Sequence, residues 1–263
     1  MPFILLNNFM DNLTNNEMIE EMIKIGLGWG TRKAFLHPKM RKYLLTYKDD
    51  LGIINLNESL KEWEKTFTYL EDLISQNKTI LFVATQPAAR EIVEDYGKKL
   101  NFPYVNVRWL GGTLTNFETF KKRLKSLKDL EEKTKSEEFS KYTKKEQLLM
   151  LKELDKTREK FNGLLSLENL PDALFIFCAK RHRNAIHEAQ KMNIPIIGIL
   201  GLEDNPDGFK YFIPLNDNTK RGIEFIFFQI EKLYQKLQAN QLANNQNNQE
   251  KDQNKQEDVS ANN

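Results

Sequence analysis

The sequence predicts an α/β protein: a three-layer, doubly wound, mostly parallel sheet of the Rossmann or flavodoxin type, with an α-helical coiled-coil hairpin inserted in it. Three observations carry this reading. The runs TILFVA (79–84), LPDALFIFC (170–178) and IPIIGIL (194–200) are strand-length and almost continuously apolar, as strands covered on both faces require. Helical patterns alternate with them, which is the order of a parallel sheet. Between the first and second of these runs lies a long stretch rich in Lys and Glu whose apolar residues recur at helical spacing.

In chain order, residues 1–16 form an N-terminal extension, and Phe3 to Leu6 is a brief apolar run without a basic flank or a small-residue cleavage site. No secretory or transit signal is expected from it. Met18, Ile19, Met22 and Ile23 then line a helix that Gly26 closes. A short strand over 52–56 precedes an amphipathic helix carrying Leu60, Trp63, Phe67, Leu70 and Leu73, and a further helix starts near Ala88. Two helices over 117–162 make the hairpin, joined near 136–142. Phe117, Phe120, Leu124, Leu127 and Leu130 line the first; Leu148, Leu151, Leu154, Phe161 and Leu164 line the second. Thr143 with Glu146 fits a capping box. The α/β domain resumes at 163–237, with a helix over 184–192, a short strand over 211–213 and a last helix carrying Ile223 to Leu233. From residue 238 the chain is low in complexity, with eight Asn and six Gln in 26 residues, and is expected to be a disordered tail.

Charge is unevenly spread. The net charge is +2, but Lys and Arg outnumber Asp and Glu 14 to 10 in residues 117–162, against 14 to 14 before and 11 to 13 after. From Thr31 to Lys48 the chain has six cations, Arg32, Lys33, Lys39, Arg41, Lys42 and Lys48, and no acid; Phe35, His37, Tyr43 and Tyr47 lie among them. Cations neutralise phosphates and aromatic faces stack on unpaired bases, so this block reads as nucleic-acid binding. The alternative is a solvated loop anchored by its aromatics.

Tyr104 to Asn116, YVNVRWLGGTLTN, places Arg108 and Trp109 at a strand end, followed by Gly111 and Gly112 and a helix that starts near Leu114. Thr113 or Thr115 is suited to cap that helix. Such a corner can bind an anion or be a plain turn. The first strand-to-helix turn, TQPAAREI, has no glycine, and no phosphate-binding GxxxxGK[ST] loop occurs anywhere. Cys178, the only cysteine, sits in an apolar run and suits the core. His37, His182 and His187 lack the spacing of a metal site, and Asp204 and Asp207 read as a polar turn more readily than as a cation site. No cofactor is expected.

Several blocks together resemble the small-subunit ribosomal protein S-two family in its bacterial and organellar form. They are IGLGWGTRKAFLHPKM (25–40), IINLNESL (53–60), ILFVATQPAAREIV (80–93), VRWLGGTLTNFETF (107–120), YTKKEQLLM (142–150), LPDALFIF (170–177), AIHEAQKMNIPIIGI (185–199) and NPDGFKYFIPLNDN (205–218). The resemblance implies a structural, non-catalytic role on the small ribosomal subunit, with rRNA and other small-subunit proteins as partners. It implies neither a membrane nor a homo-oligomer. By motif position, Arg32, Lys33, Lys39, Arg41, Lys42, Arg108, Asn116, Arg181 and Arg183 are the candidate rRNA contacts. Trp109, Gly111 and Gly112 are the structural residues. Where relatives carry an HFGH-like motif this chain has Gly28, Trp29, Gly30 and Thr31, and a DTN-like run is replaced by Gly201, Leu202 and Glu203. A divalent-metal pocket is therefore not carried over. This divergence, with an Asn-, Lys- and Ile-rich composition, points to a mitochondrial ribosome; a plastid or the bacterial cytoplasm is the alternative. Two other readings stay open: a Rossmann-like enzyme binding a phosphorylated ligand at the glycine corner, and a scaffold that kept the fold but left the ribosome.

Overall fold

The computed structural model describes residues 15–136, 139 and 141–260. The apolar run Phe3–Leu6, with nearly all of the 1–16 extension, lies outside the described residues. In order, the elements are α1 (Asn15–Lys24), β1 (Trp29–Arg32), β2 (Leu44–Lys48), β3 (Leu51–Ile54), α2 (Leu56–Ser75), β4 (Ile80–Val83), α3 (Arg90–Leu100) and β5 (Tyr104–Val105). There follow α4 (Phe117–Lys135), α5 (Lys144–Phe161), β6 (Ala173–Phe177), α6 (Arg183–Lys191), β7 (Ile196–Leu200), β8 (Tyr211–Pro214) and α7 (Lys220–Ser260).

Five strands pair in the order β5-β4-β6-β7-β8, and every pairing is parallel. All residues of β4, β6 and β7 are buried, and successive side chains point to opposite faces. Ile80, Phe82, Phe175, Phe177, Ile197 and Ile199 enter one core with α2, α3 and α7. Leu81, Val83, Leu174, Ile176 and Ile196 enter the other with α4, α5 and α6. The result is the three-layer, doubly wound fold that the apolar runs require.

Several local expectations change. Residues 29–54 form a small antiparallel sheet, β1-β3-β2, with 3-10 turns at Lys33–Phe35 and Pro38–Tyr43; of these elements the sequence predicts only the strand near 52–56. Apolar packing holds the sheet: Leu202 is fully buried against Gly30, where a Cβ would lie 2.5 Å from its Cδ1. Tyr43 is 2% exposed and meets the Phe212 ring edge-on at 5.6 Å. That leaves the cations to project outward.

The hairpin helices are held by Phe120 against Phe161, ring centroids 5.5 Å apart, and by Arg158 Nε 3.4 Å from Glu131. The Thr143–Glu146 capping box starts α5. A continuous coiled-coil seam is not seen on α5. Leu154 and Phe161 are buried, but Leu148 and Leu151 are 53% and 41% exposed. The backbone of α7 is helical to Ser260, through the stretch from 238 whose composition predicts no regular structure. No Gly or Pro interrupts that stretch, so nothing local terminates a helix begun on the core. The last residues, 261–263, lie outside the described residues.

Phe227 is the aromatic hub of the α7 face, with ring centroids 5.3, 5.1 and 5.4 Å from those of Phe82, Phe177 and Tyr96. Phe227→Ala is expected to cost about 3–5 kcal/mol of stability, whereas Leu148→Ala on exposed α5 changes it by less than about 0.5 kcal/mol. Urea unfolding of the two variants checks this contrast.

Candidate nucleic-acid interface

In an open parallel sheet, ligands bind beyond the carboxyl ends of the strands where the strand order reverses; here that point lies between β4 and β6. The chain fills it with its own side chains. His182, 1% exposed, lies with Nδ1 2.9 Å from the Cys178 carbonyl. Its Nε2 accepts the Thr85 N–H at 3.2 Å and lies 3.0 Å from the Thr85 hydroxyl. Since Nε2 accepts, the proton sits on Nδ1, and burial holds the ring's pKa below its usual value. His182 is thus a neutral brace between β4 and β6, where the sequence shows only part of a basic run.

Next to it, Asp204 accepts backbone N–H groups of Lys180 (2.9 Å) and Gly201 (3.0 Å). Gln86 Nε2 donates to the Asp217 carbonyl at 3.0 Å. The Asp217 carboxyl is pushed up to about 8 by burial and by the nearby charges of Asp204 and Glu203. Cys178 is buried and its thiol pKa is raised by the same burial, so it is not a nucleophile. Asp207 is exposed and pairs with Lys39 at 2.5 Å, leaving Asp204 and Asp207 with separate tasks. Among the described residues no group of three His, Cys, Asp or Glu side chains is placed to hold a metal ion.

The glycine corner is filled in the same way. Glu188 of α6 is 7% exposed and accepts from Trp109 Nε1 (3.0 Å) and from the N–H groups of Gly112 (2.9 Å), Leu114 (3.0 Å) and Thr115 (3.2 Å). The Thr115 hydroxyl adds a fifth donor at 3.3 Å. Burial alone raises a carboxyl pKa, but these donors outweigh it and hold Glu188 below its ordinary value. Gly112 has φ +87°, the left-handed conformation this loop needs to turn its N–H inward. The corner does bind an anion, and the anion is internal. Neither threonine caps the helix: Thr113 donates to the Leu110 carbonyl at 2.6 Å, Thr115 serves Glu188, and α4 starts only at Phe117, after Asn116. No pattern in the sequence marks Glu188, which reads as an ordinary helix-surface acid.

The predicted cations divide between two places. Arg32, Lys33, Arg41 and Lys42 are exposed on the small sheet and its turns; Lys33 Nζ lies 5.9 Å from the Tyr47 ring and Lys42 Nζ 4.5 Å from the Tyr43 ring. Lys39 is engaged by Asp207. Arg181 and Arg183, exposed on either side of His182, follow β6, and Lys180 Nζ stands 5.9 Å from the ring of Phe35, which is 60% exposed. The 31–48 and 180–183 segments therefore meet. Arg108 and Asn116 are exposed at the glycine corner, whereas Trp109 is buried.

Glu188→Ala is expected to destabilise the fold by about 2–4 kcal/mol, since several buried donors lose their acceptor. A Glu188 pKa held low stabilises above its unfolded value and is lost as pH falls through the folded value; acid unfolding monitored by tryptophan fluorescence should be less steep in Glu188→Gln. Asp217 has the opposite sign. Its folded pKa lies above the unfolded 3.8, so it costs stability progressively from there to about 8 and no further above. Asp217→Asn is expected to flatten that decline in a pH series of thermal melts.

The sequence profile of the family described as "Ribosomal protein S2" matches residues 22–239, from α1 through the α/β layers and the hairpin into α7. The small ribosomal subunit protein uS2 of Hahella chejuensis (strain KCTC 2396) is 37% identical over 206 residues, 78% of this chain and 81% of that relative. A filled ligand crevice and a filled anion corner agree with the absence of catalysis in such proteins. The chain belongs to the ribosomal protein S2 family, as a structural, non-enzymatic protein of the small ribosomal subunit.

Proposed function

We propose that the protein supports translation by holding small-subunit rRNA, with neighbouring ribosomal proteins, on the edge formed by β1–β3 and the segment after β6. The observation that carries this is the approach of Lys180 to Phe35, which joins two cationic segments far apart in sequence around an exposed aromatic ring. Cations with unpaired aromatic faces suit the phosphates and unstacked bases of RNA loops. Arg32, Lys33, Arg41, Lys42, Arg181 and Arg183 are the proposed contacts here. Lys39 contributes less because Asp207 already neutralises it, and Arg108 and Asn116 form a separate contact at the glycine corner. One copy serves each subunit, without self-association.

The Asn-, Lys- and Ile-rich composition supports a mitochondrial ribosome as its home. The bacterial cytoplasm is the alternative, supported by the identity to a bacterial relative.

Sucrose-gradient fractionation of the tagged protein should give stoichiometric migration with the small subunit, in the organelle fraction if the mitochondrial reading holds. Migration only as free protein overturns the ribosomal role. Reversing Arg181 and Arg183 to Glu should lower the slope of log affinity against log salt by about 1.5–2, for the phosphates no longer neutralised; an unchanged slope removes these two residues from the interface.

A further inference from the structure

We infer that the shallow pocket beside the glycine corner seats a phosphodiester of the rRNA backbone, with Arg123 as its cation. The inference rests on the rRNA-binding reading and deepens its contact at the glycine corner. The pocket has Leu110 and Phe120 as apolar walls and is lined further by Gly111, Asn116, Thr119 and Arg123.

Gly111 needs no glycine for reasons internal to the chain. Its φ lies outside the left-handed range that Gly112 occupies, and a Cβ added to it would meet nothing within 4 Å. What the missing side chain provides is open access to the backbone from outside. Glu188 takes the donors of the loop that face inward, at Gly112, Leu114 and Thr115. Other donors of the residues that line the pocket are left over: the Gly111 N–H, the Asn116 side-chain amide, the Thr119 hydroxyl and the Arg123 guanidinium have no hydrogen bond or ion pair among the described residues.

A small cleft lined by donors and one unpaired cation is matched by an oxyanion. Along the same helix, residues 121–128 carry Lys121, Lys122, Arg123, Lys125 and Lys128 and no acid, which continues the positive potential as a polyanionic backbone needs. Glu118 lies well round the helix from Thr119 and Arg123 by the helical repeat. An acidic side chain of a neighbouring protein is the competing occupant, and the test separates the two.

The full-length protein would be rebound to small subunits depleted of it, at several salt concentrations. Arg123→Gln is expected to lower the salt slope by about one, and Gly111→Ala to weaken binding several-fold with an unchanged melting temperature, since its Cβ enters open space. A cleavage reagent tethered at Lys122→Cys, with Cys178 protected by burial, should cut rRNA close by. Wild-type affinity and slope in both variants would overturn the phosphate seat while leaving the rRNA-binding reading intact. Weakened variants without rRNA cleavage would also overturn it, in favour of the acidic protein side chain. Failure of the wild-type protein to rebind would remove the rRNA-binding reading itself.

Discussion

A parallel sheet whose central strands are buried on both faces leaves no room for charge on either one, and most of this architecture follows from that constraint. With β4, β6 and β7 buried at every residue, helices must cover both sides, and the two cores are built from alternate residues of the same strands. Cations are thereby kept off the sheet faces and placed at strand ends, on the small antiparallel sheet and on the outer sides of the helices, the hairpin included. A ribosomal protein needs its cations at such edges, where they can reach phosphates without being buried. The same constraint that stabilises the domain distributes its binding chemistry.

The second theme is self-sufficiency. Sheets of this class bind ligands where the strand order reverses and at glycine-rich corners, and this chain occupies both places from within. His182 bridges Thr85 and Cys178 as a neutral ring. Glu188 gathers five donors that an enzyme of similar topology would turn to a phosphate. The enzyme reading thus loses its physical basis at the atoms on which it rested. The glycine corner remains interesting on its outer side, where donors are unspent.

The junction between the small sheet and the loop after β7 is closed by an apolar contact. Leu202 is fully buried there, packed against Gly30 and Gly52. The neighbouring Asp204 and Asp217 are hydrogen-bonded to the chain itself, with Asp217 raised toward neutrality by burial.

The sequence by itself determined the class of fold, the identity of the buried strands and the capping of α5. Each of these rests on local composition or short-range spacing: apolar runs of strand length, and a Thr and a Glu three residues apart. Only the tertiary structure decided the rest. Residues 29–54 pair as strands because Leu202, about 150 residues onward, packs between them. The N–H groups just before α4 are taken by Glu188, 70 and more residues onward in the chain. Leu148 and Leu151 are exposed, although their spacing matches that of buried Leu154. The meeting of Lys180 with Phe35 was equally illegible. All of these depend on contacts between segments far apart in the chain, and local periodicity carries no record of which distant side chain will arrive.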